Sequence, residues 1–222
     1  MKVSLIIPTL NEAGAIGRVL AEVPKKIISE IIVIDGYSTD NTAIEAKAKL
    51  RKGKDRFILQ RRKGFGNALL EAFRKSRGDV IVIMDGDGSQ NPKDIPAFLK
   101  KIKQGYTYVM GTRYGRGGRS DDDTIIRLIG NRALTLLTNL IHRTKVSDSL
   151  YLFIAIKREN LNKLKLSSPG IEICVEIPIK AHKAGLKLAE IPVVERARYA
   201  GKSKVNAFFT GLRILKMILH KY

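Results

Sequence analysis

The stretch Val80-Ile81-Val82-Ile83-Met84-Asp85-Gly86-Asp87 decides the reading of the fold. Residues 80–84 form a short, β-branched, unbroken apolar run, the pattern of a strand covered on both faces, and such strands belong to parallel sheets flanked by helices. An acidic, glycine-containing turn ends the run. Two more runs of the same kind occupy residues 3–7 and 31–34. Between the runs, residues 13–23, 40–50 and 67–75 carry helical spacing, and strands alternating with helices predict βαβ units in an open, doubly wound α/β sheet. In such sheets ligands sit beyond the carboxyl ends of the strands. There the polar residues collect: Thr9-Leu10-Asn11-Glu12, then Asp35-Gly36-Tyr37-Ser38-Thr39-Asp40, then Asp85-Gly86-Asp87-Gly88-Ser89. Three strand ends carrying carboxylates make one polar crevice.

The second half is less regular. Residues 114–123 are rich in glycine and charge and read as a mobile loop, followed by a helical stretch over 124–141. Strand-like segments at 151–156 and 188–194 flank another helix. In the last stretch, 205–220, Val205, Phe208, Leu212, Leu215 and Leu219 follow helical spacing, while Lys204, Arg213, Lys216 and Lys221 supply a basic side. The expected organisation is a catalytic domain over 1–204 and an amphipathic basic helix over 205–222. That helix either lies on a membrane surface or closes the core with its apolar face.

Composition bounds the partners. The 222 residues hold 41 Lys and Arg against 21 Asp and Glu, so the net charge of +20 favours an anionic partner such as phospholipid, nucleic acid or a phosphorylated substrate. Cys174 is the only cysteine, which excludes a disulfide framework and a Cys/His metal site and fits a reducing compartment. The apolar segment before Pro8 is too brief for a signal-peptide core, and no apolar run approaches the roughly 18 residues of a membrane span. The expectation is a cytoplasmic protein, peripheral on the cytoplasmic face of the membrane. Nucleic-acid binding is disfavoured, because no aromatic platform is interleaved with the basic residues.

Asp85 and Asp87, one residue apart on a turn leaving a buried strand, suit a hard divalent cation, Mg²⁺ or Mn²⁺, completed by water and phosphate oxygens. The tripeptide alone is equally well a polar turn that stops the strand. Asp40 precedes a helical run and reads as its cap. Asp35 has no such duty, and a carboxylate at that strand end can accept hydrogen bonds from a base or ribose.

The order of these elements resembles a known family. Ile6-Ile7-Pro8-Thr9-Leu10-Asn11-Glu12, Val33-Ile34-Asp35-Gly36-Tyr37-Ser38-Thr39-Asp40-Asn41-Thr42, Lys63-Gly64-Phe65-Gly66-Asn67-Ala68 and Met84-Asp85-Gly86-Asp87 ahead of Pro92 are similar to the successive signatures of family 2 glycosyltransferases. The resemblance implies the GT-A fold, a single Rossmann-like open sheet with helices on both faces. It implies that Pro8, Thr9, Glu12 and Asp35 hold a nucleotide-sugar donor and that Asp85 and Asp87 serve metal and diphosphate, with Asp87 catalytic. The second half is similar to the polyprenyl (dolichol) phosphate mannose and glucose synthases of that family, through Gly111-Thr112-Arg113-Tyr114, Arg127, Asn131 and Arg198-Tyr199-Ala200-Gly201-Lys202-Ser203-Lys204. By that resemblance Arg113 and Arg127 grip the phosphate of a polyprenyl phosphate acceptor, and Arg198 and Lys204 the donor diphosphate. Taken singly, each of these basic residues also reads as a solvated charge on a strongly basic protein.

The resemblance has gaps. Those synthases carry Asp, then Ser or Thr, then Gly-Phe-Arg, whereas Asp148-Ser149-Leu150-Tyr151-Leu152-Phe153-Ile154 keeps the Asp and the Phe and lacks the Gly and the Arg. Ser89 stands where some members have a glutamine. The Gln-x-x-Arg-Trp element of processive synthases is absent, and the chain has no tryptophan. The competing enzyme reading is a family 2 transferase with a hydroxyl acceptor on a glycan, glycolipid or protein, for which Asp148 would be the base. A nucleotidyltransferase would open with a glycine-rich basic loop after the first strand, and Pro8-Thr9-Leu10-Asn11-Glu12 is not one.

Overall fold

The computed structural model describes residues 1–201 and 207–220. In chain order the elements are β1 (Val3–Thr9), α1 (Ile16–Glu22), β2 (Glu30–Asp35), α2 (Thr42–Lys49), β3 (Arg56–Leu59), α3 (Phe65–Lys75), β4 (Val80–Ile83), α4 (Ile95–Lys103), β5 (Tyr108–Thr112), β6 (Arg119–Ser120), α5 (Ile125–His142), β7 (Ile154–Lys157), α6 (Arg158–Lys163), α7 (Ile173–Lys183), β8 (Leu188–Pro192), β9 (Val194–Glu195) and α8 (Ala207–Leu219). Seven strands form one sheet in the order β3-β2-β1-β4-β7-β5-β8, and β6 and β9 make a small separate ribbon. Neighbours run parallel except where β7 lies antiparallel between β4 and β5.

The unbroken apolar runs behave as their composition requires. Alternate residues point to opposite faces of a strand. Leu5 and Ile7, Ile31 and Val33, and Val80 and Val82 join α1 and α4 in one core layer. Ile6, Ile32 and Ile34, and Ile81 and Ile83 join α3 and α7 in the other. Helices therefore cover both faces. A third, smaller core forms where Ile214 and Ile218 of α8 meet Val175 and Ile179 of α7 and the α5 residues Leu134 and Leu137.

Several elements differ from the sequence reading. β3 and β5 lacked an unbroken apolar run: β3 is a half-buried edge strand with Arg56 at its start, and β5 ends in Gly111-Thr112. Helix α1 starts three residues late, because Gly14 turns the chain with φ +79°. The expected strand over 151–156 begins only at Ile154, and the loop over 114–123 contains the short β6. Asn41 stands at the N-cap position of α2 without a side-chain capping bond, while the carboxylate of Asp40 accepts N–H groups from Thr42 and Ala13 and so ties that helix start to the β1 loop.

The topology fixes where a ligand can enter. The chain winds outward from β1 through β2 to β3, then returns to place β4 on the other side of β1. The strand order therefore reverses between β1 and β4, and the crevice beyond their carboxyl ends is the expected binding position.

Candidate active site

A cleft of about 1000 Å³ opens at that switch point. Pro8, Thr9 and Glu12 line it after β1, Gly36 and Tyr37 after β2, and Asp85 and Asp87 after β4; Arg113 joins them after β5, with Arg127 of α5 and Arg198 of the C-terminal segment. The fold thus gathers in one cavity eight of the ten residues named from sequence. Asp35 is placed differently: it is buried beneath the wall, accepting hydrogen bonds from the Thr9 and Ser38 hydroxyls at 3.0 and 2.6 Å and from the Ser38 N–H at 2.8 Å. It holds the turn that presents Gly36 and Tyr37. Lys204 lies outside the described residues.

The acidic floor is held from both sides. Gln90, buried, accepts the Asp85 N–H through its carboxamide oxygen at 3.0 Å and donates its amide to the Asp85 carboxylate at 2.9 Å. Asp87 accepts the Ser89 N–H at 2.9 Å and pairs with Arg198 at 2.7 Å. Burial, and then the neighbouring Asp87 carboxylate, push Asp85 up to about 8. The Asp87 carboxylate thus disfavours the charge of Asp85, and a divalent cation relieves that repulsion. The donors are hard oxygens, as Mg²⁺ and Mn²⁺ require, so the pair fits the metal expected from sequence. Among the described residues no group of three or more His, Cys, Asp or Glu side chains converges on a metal position. Ligand phosphate oxygens and water would have to complete the shell.

Arg198 owes its position to a clamp around Asp87. The backbone N–H groups of Arg196 and Tyr199 bond to the carbonyls of Ser89 and Asp87 at 2.8 and 2.9 Å. The Tyr199 hydroxyl donates to Glu22 of α1 and accepts from Arg196, while the Arg18 guanidinium lies 3.9 Å over its ring. The ring rests on Gly88, whose φ of +88° and missing Cβ allow the approach.

Arg113 is almost wholly enclosed. Its Nε and Nη2 donate to the two oxygens of Asp148 at 2.8 and 3.1 Å, and its Nη1 reaches Glu195 at 3.3 Å and Asp123 at 3.8 Å. Burial alone would lower its pKa, but the bidentate bond to Asp148 and the remaining carboxylates hold it above the ordinary arginine value. Glu195, by contrast, is raised by burial despite Arg113 beside it, and it accepts a hydrogen bond from the Ser120 hydroxyl. Arg127 is more open and faces Asp122 at 3.5 Å. Sequence reasoning passed over Gln90, Glu195, Asp122 and Asp123; only the run Asp121-Asp122-Asp123 was visible as a signal, and it read as part of a charged loop.

Apolar side chains share the lining: Ile126 and Leu134 of α5, Leu150, Leu152, Ile171, and Phe208 and Ile214 of α8. A single cavity is therefore lined by charged side chains and by apolar side chains, several of the latter from α5 and α8.

Comparison with known proteins accords with this geometry. A family profile described as "Glycosyl transferase family 2" matches residues 4–165. The chain belongs to that family. It is 30% identical to the dolichol-phosphate mannosyltransferase of Pyrococcus furiosus over 228 aligned positions, covering 100% of this chain and 63% of that relative. It is also 29% identical to the glycosyltransferase AglJ of Haloferax volcanii, covering 90% of this chain and 64% of AglJ. The chain thus spans somewhat under two thirds of the length of these two relatives. Among solved structures, glucosyl-3-phosphoglycerate synthase of Mycobacterium tuberculosis, in complex with Mn²⁺, UDP and glucosyl-3-phosphoglycerate, shares the fold with a TM-score of 0.76 at 22% identity, over 98% of this chain and 78% of that one. The same enzyme is also known with Mg²⁺ and UDP. The glycosyltransferase therefore has the GT-A architecture.

Proposed function

We propose that this glycosyltransferase moves a hexose from a nucleotide sugar to a polyprenyl phosphate at the cytoplasmic face of a membrane, with inversion at the anomeric carbon and with Mg²⁺ or Mn²⁺. The observation that carries the reading is the composite cleft, in which acidic and arginine side chains share one cavity with an apolar wall from α5 and α8. A phosphate-headed lipid has that same polarity. The similarity to the dolichol-phosphate mannosyltransferase of Pyrococcus furiosus and the UDP and metal complexes of the structural neighbour support it.

Each group has a task in this reading. Pro8, Thr9 and Glu12 form the donor wall, Asp35 braces it from behind, and Arg198 binds the diphosphate, with Lys204 as its expected partner. A bound cation would neutralise the leaving diphosphate between Asp85 and Asp87. Arg127 faces the acceptor phosphate, and Arg113, fixed by Asp148, presents a rigid positive charge behind it. An ionised phosphate is already a nucleophile, so positioning and charge neutralisation carry the reaction. The hydroxyl-acceptor alternative needs an accessible base. Asp148 is fully buried and bidentate on Arg113, which argues against it in that role.

The membrane part of the proposal rests on two helices. No helix among the described residues is long and apolar enough to cross a bilayer. Yet α8 uses Ile214 and Ile218 to pack on α5 and α7 while Phe208, Phe209, Leu212 and Leu219 stay exposed and Leu215 is half-buried. On α5, Ile125, Ile126, Ile129, Leu136 and Leu140 are exposed as well, Ile126 to 81%. Amphipathic helices with basic flanks bind by apolar burial plus attraction to anionic lipid, at about 1 kcal/mol per nearby Lys or Arg. These same helices supply Ile126, Leu134, Phe208 and Ile214 to the cleft lining.

The test is a donor screen with radiolabelled GDP-mannose, UDP-glucose and UDP-N-acetylglucosamine against a short polyprenyl phosphate and against hydroxyl acceptors, with and without Mn²⁺. Transfer to hydroxyl acceptors alone would overturn the proposal. In parallel, the protein should co-sediment with anionic vesicles, and Ile126→Ser combined with Phe208→Ser should release it. Binding indifferent to lipid charge, salt and these substitutions would remove the membrane from the reading.

A further inference from the structure

The loop between β5 and α5 puts an acidic residue where the arginines of the cleft meet. Asp122 Oδ2 lies 3.5 Å from Arg127 Nη1 and 3.7 Å from Arg198 Nε. Both distances are those of ion pairs and exceed good hydrogen-bond length. The Nε–H of Arg198 is buried and has no hydrogen-bond partner among the described residues. An unpartnered guanidinium donor in a cleft is costly unless a ligand completes it. Asp122 thus adds a negative charge beside both arginines without hydrogen-bonding either, while Arg198 is held through its Nη1 by Asp87 at 2.7 Å.

We infer that Asp122 is a specificity-determining residue: its carboxylate occupies the acceptor-phosphate seat in front of Arg127, at the edge where Arg198 closes the donor diphosphate site, and only a more highly charged anion displaces it. The inference rests on the reading above that Arg127 faces the acceptor phosphate while Arg198 serves the donor diphosphate beside it. The carboxylate carries one charge and is tethered to the site, so it competes at high effective concentration with any incoming monoanion. A phosphate monoester dianion brings twice the charge and three oxygens that can meet Nε–H and Nη1–H directly, so it wins the exchange. A neutral hydroxyl compound offers nothing for the separated pair. Asp122 would thereby reject ligands as well as leave room for one, which is how discrimination is commonly built. Its neighbour Asp121 pairs with Arg119, at 3.2 Å, and is not among the residues lining the cleft. That makes it an internal control for a general charge effect.

The experiment measures binding of farnesyl phosphate, a dianion, and farnesyl sulfate, a monoanion, to the full chain, to Asp122→Asn and to Asp121→Asn by titration calorimetry at constant ionic strength. The wild type should prefer the phosphate strongly. In Asp122→Asn both ligands should bind more tightly, the sulfate by about fivefold or more, the scale of two partly exposed ion pairs, so that the preference shrinks. Asp121→Asn should behave as wild type. Equal tightening in both variants would show a bulk electrostatic effect and overturn the inference, as would an unchanged preference in Asp122→Asn. If Asp122→Asn shifts binding as expected while the wild type transfers no sugar to any polyprenyl phosphate, the acceptor reading falls and the seat stands. If the wild type transfers normally and the variant binds as wild type does, the seat falls and the acceptor reading stands. Absence of binding by all three proteins would overturn both.

Discussion

Replacing Asp148 by asparagine keeps the shape of the side chain and removes one charge from a buried pair. Asp148 is fully buried and takes three hydrogen bonds from Arg113, through Nε at 2.8 Å, Nη2 at 3.1 Å and the backbone N–H at 3.2 Å. Breaking a buried pair by neutralising one partner costs about 3–5 kcal/mol when nothing replaces it. Here Glu195 at 3.3 Å and Asp123 at 3.8 Å remain beside the guanidinium, which reduces the expected loss to about 2–3 kcal/mol. For a chain of this length, each kcal/mol shifts Tm by roughly 2–4 °C, so Asp148→Asn should melt about 4–12 °C below wild type. Thermal unfolding followed by circular dichroism reads this directly, and transfer activity should be measured well below the variant's Tm. The competing role for Asp148, a general base, predicts the reverse: a native Tm with abolished transfer. A variant that melts within about 1 °C of wild type and has lost activity would refute the assignment of Asp148 as the brace of Arg113.

Three further outcomes follow from the same geometry. Asp87→Ala should abolish transfer and remove the metal-dependent tightening of nucleotide binding, because one of the two carboxylates that would hold a cation to neutralise the diphosphate is gone; full activity without metal would contradict the role. Arg127→Ala should raise acceptor KM or lower kcat by about tenfold or more with nucleotide affinity nearly unchanged, as expected for one charge-assisted bond; equal losses on both substrates, read by initial-rate kinetics, would contradict it. Gly88→Ala introduces a Cβ at φ +88° against the Tyr199 ring and should weaken nucleotide binding about tenfold by dislodging Arg198. Gly105→Ala, with φ +93° and nothing within 4 Å, shares the backbone strain without the ring contact and should leave nucleotide affinity intact.

The strands that build the sheet centre were legible from local pattern alone. Residues 3–7, 31–34 and 80–84 announce burial on both faces because nothing polar interrupts them, and the acidic turns that follow mark the ligand end. Those properties depend on residues adjacent in sequence. The family signatures were legible for the same reason, since each is a short run at a strand end or loop. The sheet's order was not. β7 enters antiparallel between β4 and β5, and no local run encodes direction. β3 and β5 were missed because a half-buried edge strand and a strand ending in Gly-Thr do not spell out an apolar run.

At the site, eight of the ten residues named from the sequence line the one cleft, but the sequence could not assign their surroundings. Asp35 was expected to face a nucleotide and instead faces inward, because Thr9 and Ser38 sit close enough in the folded chain to consume its lone pairs. Arg113 read as an open phosphate clamp; folding encloses it among Asp148, Glu195 and Asp123, two of them far away in sequence. The pairing of α5 with α8, which brings apolar side chains of both into the cleft lining, likewise joins segments distant in sequence. Amphipathic periodicity specifies that a helix has a face to cover. Which face is covered, and which charges neutralise one another, depends on contacts between distant residues, and only the packed chain decides those.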